Sequence, residues 1–493
     1  MSRSRVLRGA ALAIAACLGM TVLPAGAQAA EPDGPALAKR LTSKVTLDAM
    51  NRHLIAFQRI SDQTGGRRAP GTPGHEASVD YVVGKLTAAG YDVTTQQFPI
   101  PYSEALVERL TVGGTPVKMH MALYTPDTPK GGITGPLAVL PESATPGCAA
   151  SDFAGANYAG TIALIRRGGC PFAVKQQNAA KAGAIGVIFA NNIDGWLRGN
   201  LTSPDQAVIP SGGVSQVDGV ALRAKAGQTV NLELKVLNEQ RTSRTVIAQT
   251  KTGRADNVVV AGGHLDSVVE GAGINSNATG SAALLETALQ LGGSPKVSNA
   301  VRFVFFGAWE FGIIGSPYYV SHLSFEEQLD IALYLNFDAI GSPNAGYFIY
   351  DGDTGPYGSG HIKASFVDYL TTRGVPVETT PLNHRSDQLA FLSVGIPSGG
   401  LYTGTIGAKS AAQAQKWGGT AGVWFDACYH EACDNLGNVD RVALDRNADA
   451  MAWVTASYAV STEGVNGVPP RSERAGLRSV SRASAMAVAA DSI

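Results

Sequence analysis

The chain has 493 residues, of which 45% are hydrophobic and 16% charged, with a formal net charge of −1. Such a composition fills two or three sizeable cores and excludes a chain that is disordered throughout. The near balance of 39 basic against 40 acidic residues argues against nucleic acid or an anionic membrane surface as a partner.

At the start of the chain, Arg3, Arg5 and Arg8, the apolar run 9–23 and Ala27-Gln28-Ala29 supply the basic, apolar and small-residue parts of a secretory signal over 1–29. The expected destination is extracellular, as a secreted monomer with no membrane contact after signal removal. Ile14-Ala15-Ala16-Cys17 also has the form of a lipoprotein cleavage box, but 18–25 stays apolar where a lipidated chain turns polar. With Cys17 removed, Cys148, Cys170, Cys428 and Cys433 remain. An even number of cysteines in an oxidising compartment predicts two disulfides, and proximity in the chain favours Cys148 with Cys170 and Cys428 with Cys433.

Residues 35–60 carry apolar side chains at helical spacing, and the Gly- and Pro-rich run 65–74 is a loop. A helix over 76–89 stops at Gly90 and leads into an alternating strand over 92–98. Across 133–236 short strands, among them 161–165 and 185–190, are separated by Gly-, Pro- and Ala-rich turns and mark a β-rich inserted module. It divides a larger domain into 35–132 and 237–462. In the second part, strands at 258–261, 301–306 and 331–337 alternate with helices such as 280–291. That alternation predicts an α/β fold with a mixed, largely parallel sheet flanked by helices, whose functional residues lie in loops past the carboxyl ends of strands. Residues 463–493 are rich in Ser, Arg and Ala without a packing pattern and read as a disordered or processed tail.

Four polar residues fall where such loops are expected. His264, in Gly263-His264-Leu265-Asp266-Ser267, follows the first strand, and Glu310, in Trp309-Glu310-Phe311-Gly312, follows the second. Asp338, in Asn336-Phe337-Asp338, follows the third, and His430 lies between Cys428 and Cys433. Imidazole nitrogen and carboxylate oxygen are the donors zinc takes. One histidine after a strand is most often structural, but four polar groups gathered in this way are costly to bury without an ion.

On these segments, together with 271–280, 302–316, 335–344, Arg385-Ser386-Asp387 and 414–449, the chain resembles the secreted di-zinc aminopeptidases of metallopeptidase family 28 over 40–460. Residues 133–236, with Arg166-Arg167-Gly168-Gly169-Cys170-Pro171-Phe172 followed by a helix over 173–182, resemble the protease-associated module inserted in such peptidases. The resemblance implies a zinc exopeptidase fold acting on peptides or protein N-termini. It also implies two zinc ions bridged by an aspartate and a water, with a glutamate taking the proton of that water. Carried onto this chain, it gives His264 and Asp338 to one metal and Glu310 and His430 to the other. Asp266 would orient His264, Tyr429 would support the oxyanion, and Arg385 would lie near the substrate.

Two positions depart from that pattern. In Gly273-Ile274-Asn275-Ser276-Asn277 the bridging position is Ser276, whose hydroxyl brings no charge to two dications. Gly312, Gly315 and Ser316 fix the register of the next motif, so the base position is Trp309, which cannot accept a proton. The expectation is therefore a degenerate zinc site with two functional outcomes. One is an aminopeptidase that works weakly or through a substitute group such as Glu270, whose bland reading is a solvated loop carboxylate. The other is a pseudo-peptidase that holds peptides or a partner. Asp445 and Asp449, four apart on one helix face, form a candidate calcium site.

Overall fold

A computed structural model describes residues 33–193, 195–382, 386–464 and 467–478. Residues 1–32, where a secretory signal is expected, Arg385 and residues 479–493 lie outside the described residues. Hydrophobic runs without alternation belong to strands covered on both faces. Accordingly Ile331–Phe337 is buried at every position and Arg254–His264 from Asn257 onward. The second of these strands lies parallel between Asn299–Phe306 and Ile331–Phe337, and Ser398–Tyr402 continues the parallel set beyond Ile331–Phe337. Antiparallel partners flank that set on both sides: Phe348–Asp351 against Ser398–Tyr402 and Thr229–Gln249 against Asn299–Phe306.

One face of the sheet packs on the helices Gly34–Lys44, Leu47–Gln63, Thr279–Leu291 and Arg441–Val460 around a single large core. The other face carries Gly315–Ser321 and Gln388–Ser393, with Tyr319, Phe391 and Tyr334 in contact; the Tyr334 and Phe391 rings stack at 3.9 Å. The helical pattern at the start of the chain is two helices. The break falls at Thr46, whose hydroxyl accepts from Ala49 N at 3.3 Å and caps the second helix.

The strand expected over 92–98 runs to Val112, because Asp92–Val112 pairs antiparallel with Thr229–Gln249 along nearly its whole length. The exposed stretch Asn238-Glu239-Gln240, just past the module boundary expected at 236, is the solvated middle of this long ribbon. The ribbon carries the inserted sheet at its far end. There Ile133–Val139, Ile162–Arg166, Gly186–Ala190 and Ser211–Val214 pair in parallel, and His120–Met121 closes the edge antiparallel. Cys148 and Cys170 are bridged with their Cα atoms 5.7 Å apart, and Cys428 and Cys433 at 5.3 Å, as the chain spacing suggested.

Residues 467–478 correct the expectation of a disordered tail from 463 onward. Positions 471–478 are helical, and Arg474 and Arg478 are each 2% exposed. Arg474 donates to the carbonyls of Pro469 and Leu329, at 3.0 and 2.9 Å, and to Asn257 Oδ1. Sequence pattern missed this because the anchors are arginines, whose planar forks satisfy carbonyls inside the protein while looking solvated in a composition count. Arg474→Ala is expected to destabilise the chain by about 2–3 kcal/mol, since it strands buried acceptors. Truncation after Thr462 should cost at least as much, as read by chemical denaturation.

Candidate active site

Each candidate residue sits at the carboxyl end of a parallel strand or in a loop that reaches it. His264 ends Arg254–His264, Glu310 follows Asn299–Phe306, Asp338 follows Ile331–Phe337, and His430 comes from the short loop closed by Cys428–Cys433. Of six non-glycine residues with positive φ among the described residues, Ala308, Ile313, Ala339 and His430 lie in these loops. Left-handed backbone at such residues is held by surrounding structure and concentrates at functional sites.

The side chains gather as two pairs. His264 is fully buried, with Nε2 3.5 Å from Asp338 Oδ1, and His430 Nε2 is 3.1 Å from Glu310 Oε2. In neither pair are the atoms aligned as a hydrogen bond: His264 Nε2, His430 Nε2 and Glu310 Oε1 are buried without a hydrogen-bond partner. Trp309 touches the histidines of both pairs. Its ring lies parallel to that of His264 at 4.6 Å and 12°, and edge-on to that of His430 at 6.3 Å and 78°. Tyr429 stacks on His430 at 3.7 Å.

Behind the pairs, a second set of groups fixes the loops. Asp266 is fully buried; its carboxylate accepts from Trp309 N at 3.1 Å and Glu310 N at 3.0 Å, and its Oδ1 lies 3.6 Å from His264 Nδ1. Burial works against a charge on His264, yet the nearby carboxylates of Asp266 and Asp338 prevail and hold its pKa well above the ordinary value. Burial likewise opposes ionisation of Asp266, and the His264 contact outweighs it.

Asn277 joins three elements: Nδ2 donates to Phe337 O at 2.9 Å and His264 O at 3.3 Å, while Oδ1 accepts from Ala339 N at 3.0 Å and Gly280 N at 3.1 Å. Asp434 accepts from the backbone of Asn275 and Ser276, at 2.8 and 3.1 Å. Buried Arg68 donates to the carbonyls of Leu265, Ala272 and Gly273 and so knits the loop between His264 and Ser276. None of Asn277, Asp434 and Arg68 was singled out from sequence, since each acts on backbone far away in the chain.

The donor chemistry is that of a zinc site, but the count is short. Zinc takes four ligands, at least three of them from protein in catalytic sites. Each pair offers two, and a hydroxyl stands at Ser276 where a bridging carboxylate would supply the third. Among the described residues no three His, Cys, Asp or Glu side chains form a metal cluster. The residues present therefore do not fit a resident zinc pair.

Glu270 is not a solvated carboxylate. It pairs with Arg198 of the inserted segment, and the two side chains are 28% and 17% exposed. Nor do Asp445 and Asp449 make a calcium cage. Burial, with the charge of Asp445 adding to it, pushes Asp449 up to about 7, and Arg373 is the cation in reach. No third acidic ligand joins them among the described residues.

A largely parallel sheet with imidazole and carboxylate groups past its strand ends, carrying a second inserted sheet, defines a metallohydrolase scaffold. Comparison with known proteins narrows the class. The model of peptidase family M28 matches residues 245–455 and that of the PA domain residues 133–222. The chain is 45% identical over 457 residues to the Mycobacterium tuberculosis protein named "Probable lipoprotein aminopeptidase LpqL", covering 90% of this chain and 91% of that one. It is 41% identical over 438 residues to an aminopeptidase of Pseudomonas aeruginosa, covering 84% and 81%.

Among solved structures, an aminopeptidase from Aneurinibacillus sp. strain AM-1 superimposes with a TM-score of 0.69 at 27% identity, covering 88% of this chain and 98% of that one. A zinc aminopeptidase from Bacillus subtilis gives 0.62 at 25% identity, covering 89% and 100%. The chain belongs to peptidase family M28 and carries an inserted PA domain.

Asp387, beside the pair that holds His264, gives a pH signature. Burial pushes it up to about 7 against the opposing pull of the His264 charge and of the Ser316 hydroxyl. A carboxyl group raised in the folded state contributes stability at low pH that is lost as pH rises from about 4 through 7. Asp387→Asn is expected to leave stability near pH 4 unchanged and to raise it at pH 8 by at least about 2 kcal/mol. Denaturant melts of both chains at the two pH values test this.

Proposed function

We propose that this chain is a secreted, aminopeptidase-like protein that holds peptide N-termini in the cleft around His264 and His430 and hydrolyses them poorly or not at all. Relatives across most of its length are named aminopeptidases, and a solved aminopeptidase superimposes on it with a TM-score of 0.69. The observation that carries the reading is Trp309, an indole with no basic atom packed on His264 where the family's base would be. Glu310 and Asp338 are buried carboxylates facing His430 and His264, and a carboxylate suits the ammonium of a peptide N-terminus. Use of Glu270 as a substitute base is disfavoured by its engagement with Arg198.

Disulfides at Cys148–Cys170 and Cys428–Cys433 suit export, and no described helix is long and apolar enough to cross a membrane. The relative's name makes Cys17 the competing address, by lipidation. Mass analysis of the mature chain is expected to find a start after Ala29; a lipid-modified Cys17 would replace secretion with anchoring.

Activity on aminoacyl chromogenic substrates is expected to lie at least about 10²-fold below that of an intact metallopeptidase, the low end of what one general base supplies. Trp309→Glu and Ser276→Asp should each stay near background. The double variant should gain at least about 10²-fold together with zinc, because base and bridge act on one shared water. A wild-type chain that turns over at ordinary rates, unaffected by Ser276→Asp, would refute this reading.

A further inference from the structure

We propose that the indole of Trp309 takes over from the metal pair as the organising element of the centre, so that the chain completes its fold around a zinc-free site. The proposal rests on the reading of the centre as degenerate, and goes beyond it by assigning Trp309 a positive role. A carboxylate at this position would hold its place through an ion or a water. An indole holds its place by area and ring geometry, and aromatic rings in the arrangements seen here attract one another.

Trp309 meets both halves of the centre, lying flat on His264 and edge-on to His430. Its backbone N–H is fixed by Asp266 in the same way as that of Glu310, so the ring is presented from a rigid loop. The donors that face the centre come as two separate pairs, and Ser276, which the family resemblance puts at the bridging position, offers only a hydroxyl. A two-donor site holds zinc weakly, and among the described residues no third donor closes on either pair.

The companion substitution fits the same role. Ser276 keeps its backbone position through Asp434, and its small hydroxyl adds no charge to a region that already buries Asp266, Asp338 and Glu310. An aspartate there without a metal would bring a further uncompensated carboxylate into that region.

The test uses the full mature chain. After incubation with zinc and dialysis, metal analysis should find essentially none bound, and the thermal midpoint should be the same in chelator and in excess zinc. Trp309→Phe, which keeps a ring, should stay close to wild type, whereas Trp309→Ala should lose several degrees at the midpoint that zinc does not restore. One or two zinc ions retained per chain, or a midpoint that falls on chelation, would overturn the proposal. So would a Trp309→Ala chain as stable as wild type. If Trp309→Ala does not fold, the chelation result on the unmodified chain and the Phe variant still decide. The two readings fail separately: a zinc-free chain that hydrolyses peptides refutes only weak activity, and a zinc-loaded chain that does not hydrolyse them refutes only this proposal.

Discussion

The buried carboxylate of Asp266 is the interaction on which the centre depends. It lies against His264 and accepts the backbone N–H groups of Trp309 and Glu310, and thereby ties the ends of two parallel strands. A carboxylate in this position must be matched by donors, since an unpaired buried charge is far more costly than a missing hydrogen bond. What it matches is backbone. Asp266 holds position 309 through its amide and is indifferent to the side chain there. Asp434 holds position 276 in the same way. The loops can therefore keep their conformation while the side chains that would do chemistry change.

This separation explains why the two departures occur on an otherwise retained scaffold. Had positions 276 and 309 both been carboxylates, the centre would have gathered them with Asp266, Asp338 and Glu310, against Arg68, Arg198 and the raised His264 as cations among the described residues nearby. Such a set is tolerable around dications and repulsive without them. Replacing one carboxylate with a hydroxyl and the other with an indole removes two negative charges and adds packing surface. Both changes act in the same direction, which is the pattern expected when metal is no longer part of the fold.

Much of the fold was legible because its signals are local. The buried strands around 258–261, 301–306 and 331–337 announce themselves as apolar runs, and the loop motifs beyond them carry His264, Glu310 and Asp338. What was not legible is held by distant partners. Asn238-Glu239-Gln240 is strand only because Asp92–Val112 pairs with it, and Arg474 is an anchor only because Leu329 and Asn257 are beside it. Glu270 looked solvated because the cation that engages it, Arg198, comes from the inserted sheet. Register alone put Ser276 and Trp309 at the positions where the resemblance expects a bridge and a base; the way Trp309 uses its ring was not legible, since stacking on His264 is a fact of three dimensions.

The inserted sheet and the segment at its edge reach the loops around the centre. Gly195 lies so close to Trp424 that an added Cβ would fall 2.5 Å from the ring, and its φ of 110° also favours glycine. Next to it, the Trp196 ring is met by Lys118 at 4.2 Å and by His120 at 5.8 Å. Lys118 bonds to Glu431, the neighbour of His430, at 2.8 Å, while Arg198 engages Glu270 on the loop that leads to Ser276. Tyr124, beyond the edge strand His120–Met121, donates to Phe311 O at 2.9 Å behind Glu310. The loops that present Ser276, Glu310 and His430 are thus braced by the inserted sheet or the segment at its edge. The inserted module therefore fixes the loops around the centre whether or not the centre performs chemistry.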